Sequence, residues 1–315
     1  MVSLARVHKY IFLLIVSTVA LSINAKELNG FELDEALIPA SQIFSGGPGK
    51  DGIPSIDNPK FVSVRDAIFM DDTDRVLGIT INGIAKAYPI KILNWHEIVN
   101  DSIEDVFYSI TYCPLCGTGM AFDSGINQQI LSFGVSGLLY NSDVLLYDRE
   151  SESLWSQLLS KAVTGKYKGT TLKTLPVRHT TWIDWKRHHP SSKVLSKNTG
   201  YWRAYARDPY AGYEESENLY FPVFNAAPKQ YHPKEKVLGL AVNGVYKAYP
   251  FVELNKTNLP IFTDTVNEKL FSIHWNKKQQ SGYLMDENGK MTPIVQSYWF
   301  AWYAFHPETA VFKSK

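Results

Sequence analysis

Cys113 and Cys116 are the only cysteines in 315 residues, and they stand two residues apart in Thr111-Tyr112-Cys113-Pro114-Leu115-Cys116-Gly117-Thr118. Thiols at that spacing close a disulfide, ligate a metal ion, or pass electrons between those states. Proline between two cysteines is a feature of redox loops, where a following helix N-terminus lowers the thiolate pKa. Here Gly117-Thr118-Gly119 does not begin a helix. Cys-Pro-Leu-Cys-Gly reads equally as a zinc knuckle, in which the glycine lets backbone amides turn toward the sulfurs. A tetrahedral site then needs two more donors. With no second cysteine pair, the candidates are His96, His179, His188, His189, His232, His274 and His306. His96 leads them, because Leu93-Asn94-Trp95-His96-Glu97 lies just before the strand that delivers Cys113. Its imidazole would ligate a metal or stabilise a thiolate as a positive neighbour. The structural alternative is a hydrogen-bonded histidine beside Trp95.

The scaffold around this loop is written twice. Val76 to Pro89 (VLGITINGIAKAYP) recurs as Val237 to Pro250 (VLGLAVNGVYKAYP), and each copy reads as a β-hairpin turning at Asn-Gly. Trp182-Ile183-Asp184-Trp185 before His189-Pro190 recurs as Trp299-Phe300-Ala301-Trp302 before His306-Pro307. Two matched pairs in one order argue for an internal duplication. The offset falls from 161 residues at the hairpins to 117 at the tryptophans, so the second copy is about 44 residues shorter. Aligned outward, Asn276 takes the place of Cys113, Gln279 that of Cys116, and Thr257 that of His96. His189 and His306 recur before proline and read as structural. Function should therefore sit in the first copy and in the segment, roughly 124–178, that the second lacks.

That segment supplies the residues expected to line a substrate cleft: Ser136, Tyr140, Asn141, Asp143, Asp148 and Arg149. The hydroxyls and amide would donate hydrogen bonds, and an Asp-Arg pair would organise a loop or meet an anion; as bland alternatives they are turn residues and a surface ion pair. Ser151 to Ser160 reads as a short helix with Leu154 and Leu158 on one face. Thr181 is placed to cap a second short helix carrying Trp182 and Trp185, which Pro190 ends.

The fold expected is α+β and strand-rich, with short helices and two related halves from the duplication. Residues 26–60 form an irregular lead-in, 61–200 the first repeat with the cysteine loop and extra segment, 201–230 a connecting segment, and 231–315 the degenerate second repeat. Strands do not alternate with long helices, so a doubly wound sheet is not expected. No nucleophile elbow, phosphate-binding loop or dinucleotide fingerprint is present.

At the N-terminus, Arg6 and Lys9 precede an apolar run from Ile11 to Ile23, which predicts a signal peptide over 1–25 and a periplasmic or secreted protein. Its removal takes the formal charge from +1 to −1 by deleting two basic residues and no acidic one. No basic surplus is left to suggest nucleic acid, and no further span is expected after cleavage.

Asn94-Trp95-His96-Glu97-Ile98-Val99-Asn100-Asp101, the cysteine stretch, Phe133 to Asp143 (FGVSGLLYNSD), Leu154-Trp155-Ser156-Gln157 and Thr180-Thr181-Trp182 together resemble the DUF3179 family, over most of the mature chain. That family is an exported domain of unknown function, and some members are described as selenoproteins. The resemblance implies no reaction by itself, but selenocysteine in place of a cysteine would favour thiol redox chemistry. The leading expectation is accordingly an exported thiol redox protein, with Cys113 as nucleophile, Cys116 resolving, His96 tuning the thiolate, and a redox partner or small molecule as yet unidentified. The alternatives are a metal-binding protein with Cys113, Cys116 and His96 on zinc or copper, and a non-enzymatic binding module with a local disulfide, whose very small loop gains little from closure.

Overall fold

Alternating β-branched and aromatic runs, broken by Asn-Gly and Gly-rich turns, give a strand-rich chain with few short helices. The computed structural model describes residues 27–314. The expected signal peptide lies outside the described residues. Among the described residues, four short α-helices, Ile90–His96, Trp182–His188, Phe251–Leu254 and Trp299–Phe305, accompany the sheets. No helix among the described residues is long and apolar enough to cross a membrane.

The largest sheet takes strands from both parts of the chain. Its order is Ala310–Val311, Val245–Pro250, Lys236–Val242, Val295–Tyr298, Thr118–Asp123, Val106–Cys113 and Ile98–Ile103, with Thr174–Leu175 added beside Thr118–Asp123. A five-stranded sheet holds Arg178–Thr181, Arg75–Ile81, Ile84–Pro89, Lys193–Leu195 and Phe61–Ser63. A second five-stranded sheet, from Lys161–Ala162 through Leu154–Ser156, Asp143–Asp148 and Phe133–Tyr140 to Ile43–Ser45, packs its face on the cysteine loop.

Both Asn-Gly hairpins form as expected. Asn82 and Gly83, and Asn243 and Gly244, all adopt positive φ, the turn that matches strand twist. In each hairpin a glycine lies under a tryptophan: a Cβ on Gly78 would meet the Trp185 ring at 2.2 Å, and one on Gly239 the Trp302 ring at 2.2 Å. Thr181 caps Trp182–His188 as its position predicted, accepting from the Asp184 amide.

Ser151–Ser160 is not a helix. Leu154–Ser156 is a strand paired with Leu145–Tyr147, and a turn follows at Ser160. Alternation decides it: Leu154 packs with Phe31, Leu145 and Val163, whereas Trp155 points to the other face with Phe133 and the cysteines. The Trp155 indole N–H also donates to Asp148 at 2.8 Å. Two leucines four apart fit a strand and its turn as well as a helix face, and the tertiary contacts choose.

Residues 201–230, the connecting segment, contain no strand or helix. They run as a strap over the first part: the Asn94 amide donates to Asp208, the Trp95 indole to the Arg207 carbonyl, and the Phe224 amide to Asn141.

Candidate functional site around Cys113, Cys116 and Asp143

Val106–Cys113 and Thr118–Asp123 are antiparallel neighbours whose last pair is Cys113 with Thr118, so both cysteines sit in the tip of a tight hairpin. The Cys116 amide donates to the Cys113 carbonyl at 3.2 Å, and the Cys116 carbonyl accepts from the Tyr298 amide at 2.8 Å. Gly117 has φ +61°, and a Cβ there would stand 2.9 Å from the Tyr298 ring. Conformation and space both require glycine at this point.

A second turn meets the first. Tyr140 pairs with Asp143 across Asn141 and Ser142, which have φ +51° and +66°. This two-residue loop delivers the Ser142 carbonyl to 3.2 Å from Cys116 Sγ and 3.9 Å from Cys113 Sγ. It also places Asp143 at the start of a buried strand. Cys113 Sγ, Cys116 Sγ and an Asp143 carboxylate oxygen all lie within 4.8 Å of one another, and they are the only His, Cys, Asp or Glu group of three so arranged among the described residues. Both cysteines are free thiols and buried.

Asp143 Oδ2 accepts from the Leu158 amide at 3.1 Å, while Oδ1 is buried without a hydrogen-bond partner. The Ser142 and Tyr213 hydroxyls and Gln157 Oε1 are buried and unpartnered as well. Gln157 spends its amide nitrogen on Thr111 Oγ1, at 2.8 Å, next to the cysteine strand. Tyr213 comes from the strap and packs in the same apolar cluster as the sulfurs. The Tyr220 ring packs against the Tyr213 ring, with centroids 4.4 Å apart.

Burial sets the electrostatics. It raises both thiols, Cys116 most, and lifts the Asp143 carboxyl to about 7. Glu97 is lifted to about 8, by burial first and then by the charge of Asp143. Glu97 closes helix Ile90–His96 with φ +56°, and its carbonyl accepts from the Tyr112 amide at 2.7 Å. After burial, the leading influences on the two thiols and Asp143 are one another, Glu97 and nearby amides.

Residues 50–309 match the model of DUF3179, described as a protein of unknown function. This chain belongs to the DUF3179 family. No curated protein and no solved structure matches it at a significant level.

In this DUF3179 chain the other expected site residues go elsewhere. His96 is buried, but its Nδ1 donates to the Pro54 carbonyl at 2.8 Å and its Nε2 accepts from the Tyr205 hydroxyl at 2.7 Å. Burial lowers its pKa, so the ring is neutral and both nitrogens are committed. It anchors the strap and is not a member of the sulfur group; Asp143 holds the place expected of it. Ser136 donates to the Leu145 carbonyl and accepts from the Leu138 amide at a strand irregularity. The Tyr140 ring packs edge-on against Phe305. Asn141 bonds Ala304 and Phe224, tying the turn to helix Trp299–Phe305 and the strap. Asp148 is saturated by Ser151 and Trp155. Arg149 turns away to Ser55, Asp51 and Asp57, so no Asp148–Arg149 pair forms. The cysteine loop and extra segment touch directly, and the expected cleft between them is closed. A groove of about 390 Å³ beside Met120, Leu158 and His306 is not lined by either sulfur.

Sequence reasoning missed Glu97 and put Asp143 in the cleft wall instead of beside the sulfurs. The usable signal for Asp143 was the Asn141-Ser142 turn between two apolar runs, which fixes the next residue at a strand start. Glu97 carried no signal beyond its place beside His96.

Proposed function

We propose that this chain is a metal-binding protein whose ion is held by Cys113, Cys116 and Asp143. The observation that carries it is the buried Asp143 carboxylate, which has one oxygen within 4.8 Å of two free thiols and whose Oδ1 makes no hydrogen bond of ordinary geometry. A buried carboxylate oxygen left unpaired is costly unless something binds it. Two thiolates and a carboxylate brought this close are an acidic group that needs protons or a metal ion. Two sulfurs with one hard oxygen suit zinc better than copper(I), which prefers soft donors throughout.

Thiol redox is the competing reading, and the position of the thiols weighs against it. A redox nucleophile works as an exposed, low-pKa thiolate beside positive charge; here both thiols are buried, burial raises them, and the neighbouring Asp143 charge raises them further. Export rests on the N-terminal sequence alone.

We further infer that the halves descend from one duplicated unit. The supporting geometry is matched packing: Gly119 lies against Leu77 as Gly282 lies against Leu238, and Gly78 against Trp185 as Gly239 against Trp302. The Gln279 amide donates to the Asn276 carbonyl at 3.2 Å, as Cys116 does to Cys113.

Elemental analysis of the full chain, purified under reductant and dialysed against a weak chelator, tests the metal reading. One zinc per chain is expected. A metal-free protein that readily forms a Cys113–Cys116 disulfide would replace it with thiol redox.

A further inference from the structure

The groove of about 390 Å³ that neither sulfur lines opens where the extra segment meets the second Asn-Gly hairpin. Leu158, Lys161 and Leu175 line it from the extra segment, and Gly239, Ala241 and Tyr246 from the hairpin. The two hairpins differ at the positions that shape it. Gly78 pairs with Arg178, whereas Gly239 pairs with Val295. Arg178 forms a largely buried ion pair with Asp184 at 2.9 Å, and Ala301 holds the place of Asp184 in the second W-x-x-W segment. Thr80 pairs with Ala85, whereas Ala241 pairs with Tyr246. The second hairpin thus exchanges an ion pair for two apolar side chains and gains an aromatic ring. That ring stacks on His306 with centroids 3.9 Å apart, and Trp302 stands 4.4 Å from the same imidazole. Tyr246, His306 and Trp302 all line the groove.

The charge of the lining has one sign. The described residues around the groove include no aspartate or glutamate, and Lys161 is their one lysine or arginine. His306 adds no charge at neutral pH, because burial pulls its pKa down to about 4. An apolar, aromatic-walled groove with a single cation at its edge is complementary to a flat apolar body carrying one negative charge, and it offers a cationic ligand no partner. We propose that this groove binds a small aromatic carboxylate, its ring against the Tyr246–His306–Trp302 cluster and its carboxylate toward Lys161. The site is separate from the cysteine centre, and its existence does not depend on a metal ion there.

The test is calorimetric titration of the full chain with indole-3-acetate and with indole-3-acetamide, its neutral counterpart of nearly the same shape. Wild type should bind one indole-3-acetate per chain saturably and the amide about fivefold more weakly, the upper range for a solvent-accessible ion pair. Lys161→Met keeps most of the stem and removes the charge. It should weaken the acid about fivefold and leave the amide unchanged. Ala241→Phe fills the groove from an exposed strand position and should abolish binding of both. Lys161 is exposed as well, so Lys161→Met should melt at the wild-type temperature and carries the charge test by itself if Ala241→Phe unfolds. No saturable binding of indole-3-acetate to wild type would overturn the site. Binding that a folded Ala241→Phe leaves intact would place the ligand elsewhere and overturn it too. Acid and amide bound equally, or an acid affinity indifferent to Lys161→Met, would overturn the preference for an anion.

Discussion

Cys116 Sγ lies 3.2 Å from the Ser142 carbonyl oxygen, a contact between two hairpin tips that belong to different sheets. Each tip is set by backbone requirements: Gly117 at φ +61° in one, Asn141 and Ser142 at +51° and +66° in the other. Their meeting brings Asp143 to the sulfurs across 27 residues of chain from Cys116. The site is thus made by sheet packing and not by the cysteine motif alone.

Asp143 should be as necessary to metal retention as either thiol. Asp143→Asn keeps the shape and the Leu158 hydrogen-bond acceptor but removes the charge. Zinc affinity, measured by competition with a coloured chelator, should fall by at least about 100-fold, more than a loss in the outer shell gives. Unchanged affinity would place the ion elsewhere.

The metal-free protein should lose stability as pH rises. Asp143 and Glu97 titrate at about 7 and about 8 when folded and in the ordinary carboxylate range when unfolded. Between those ranges the folded chain holds protons that the unfolded chain has released. Stability therefore falls with pH from about 4 to about 8, by roughly 1.4 kcal/mol per unit of pKa difference for each group. Urea unfolding of metal-free protein at pH 5 and 8 measures it, and Glu97→Gln should reduce the difference. Stability that is flat or rises across this window would show that these carboxyls are not buried as described. Metal-loaded protein should move the opposite way, since the ligands bind deprotonated.

His96 should matter for stability and not for the metal. Its replacement by phenylalanine strips the Pro54 carbonyl and the Tyr205 hydroxyl of their shared partner. The cost should be about 1–3 kcal/mol in unfolding free energy, with zinc stoichiometry unchanged by elemental analysis. A folded variant that has lost its zinc would return His96 to the site.

These outcomes bear on what a sequence can disclose. The hairpins were legible because Asn82-Gly83 and Asn243-Gly244 carry their own turn chemistry, and the cap at Thr181 because capping is local. Strand-rich architecture followed from the β-branched and aromatic runs. The cysteine loop announced itself by composition. What lay beyond reach was convergence between distant segments. His96 is near Cys113 in sequence, but Pro54 and Tyr205, residues from two remote loops, claim its nitrogens. Asp143 reaches the sulfurs only because one sheet packs on another. The misread helix at Ser151–Ser160 failed for the same reason: Leu154 and Trp155 face different clusters that local periodicity does not reveal.

The central claim, an ion shared by Cys113, Cys116 and Asp143, is tested most directly by X-ray absorption at the zinc edge of the zinc-loaded full chain. The account predicts two sulfur neighbours at about 2.3 Å with the remaining neighbours oxygen at about 2.0–2.2 Å, and no contribution from an imidazole ring. A shell without sulfur, or one with a histidine ring in place of the carboxylate, would contradict it.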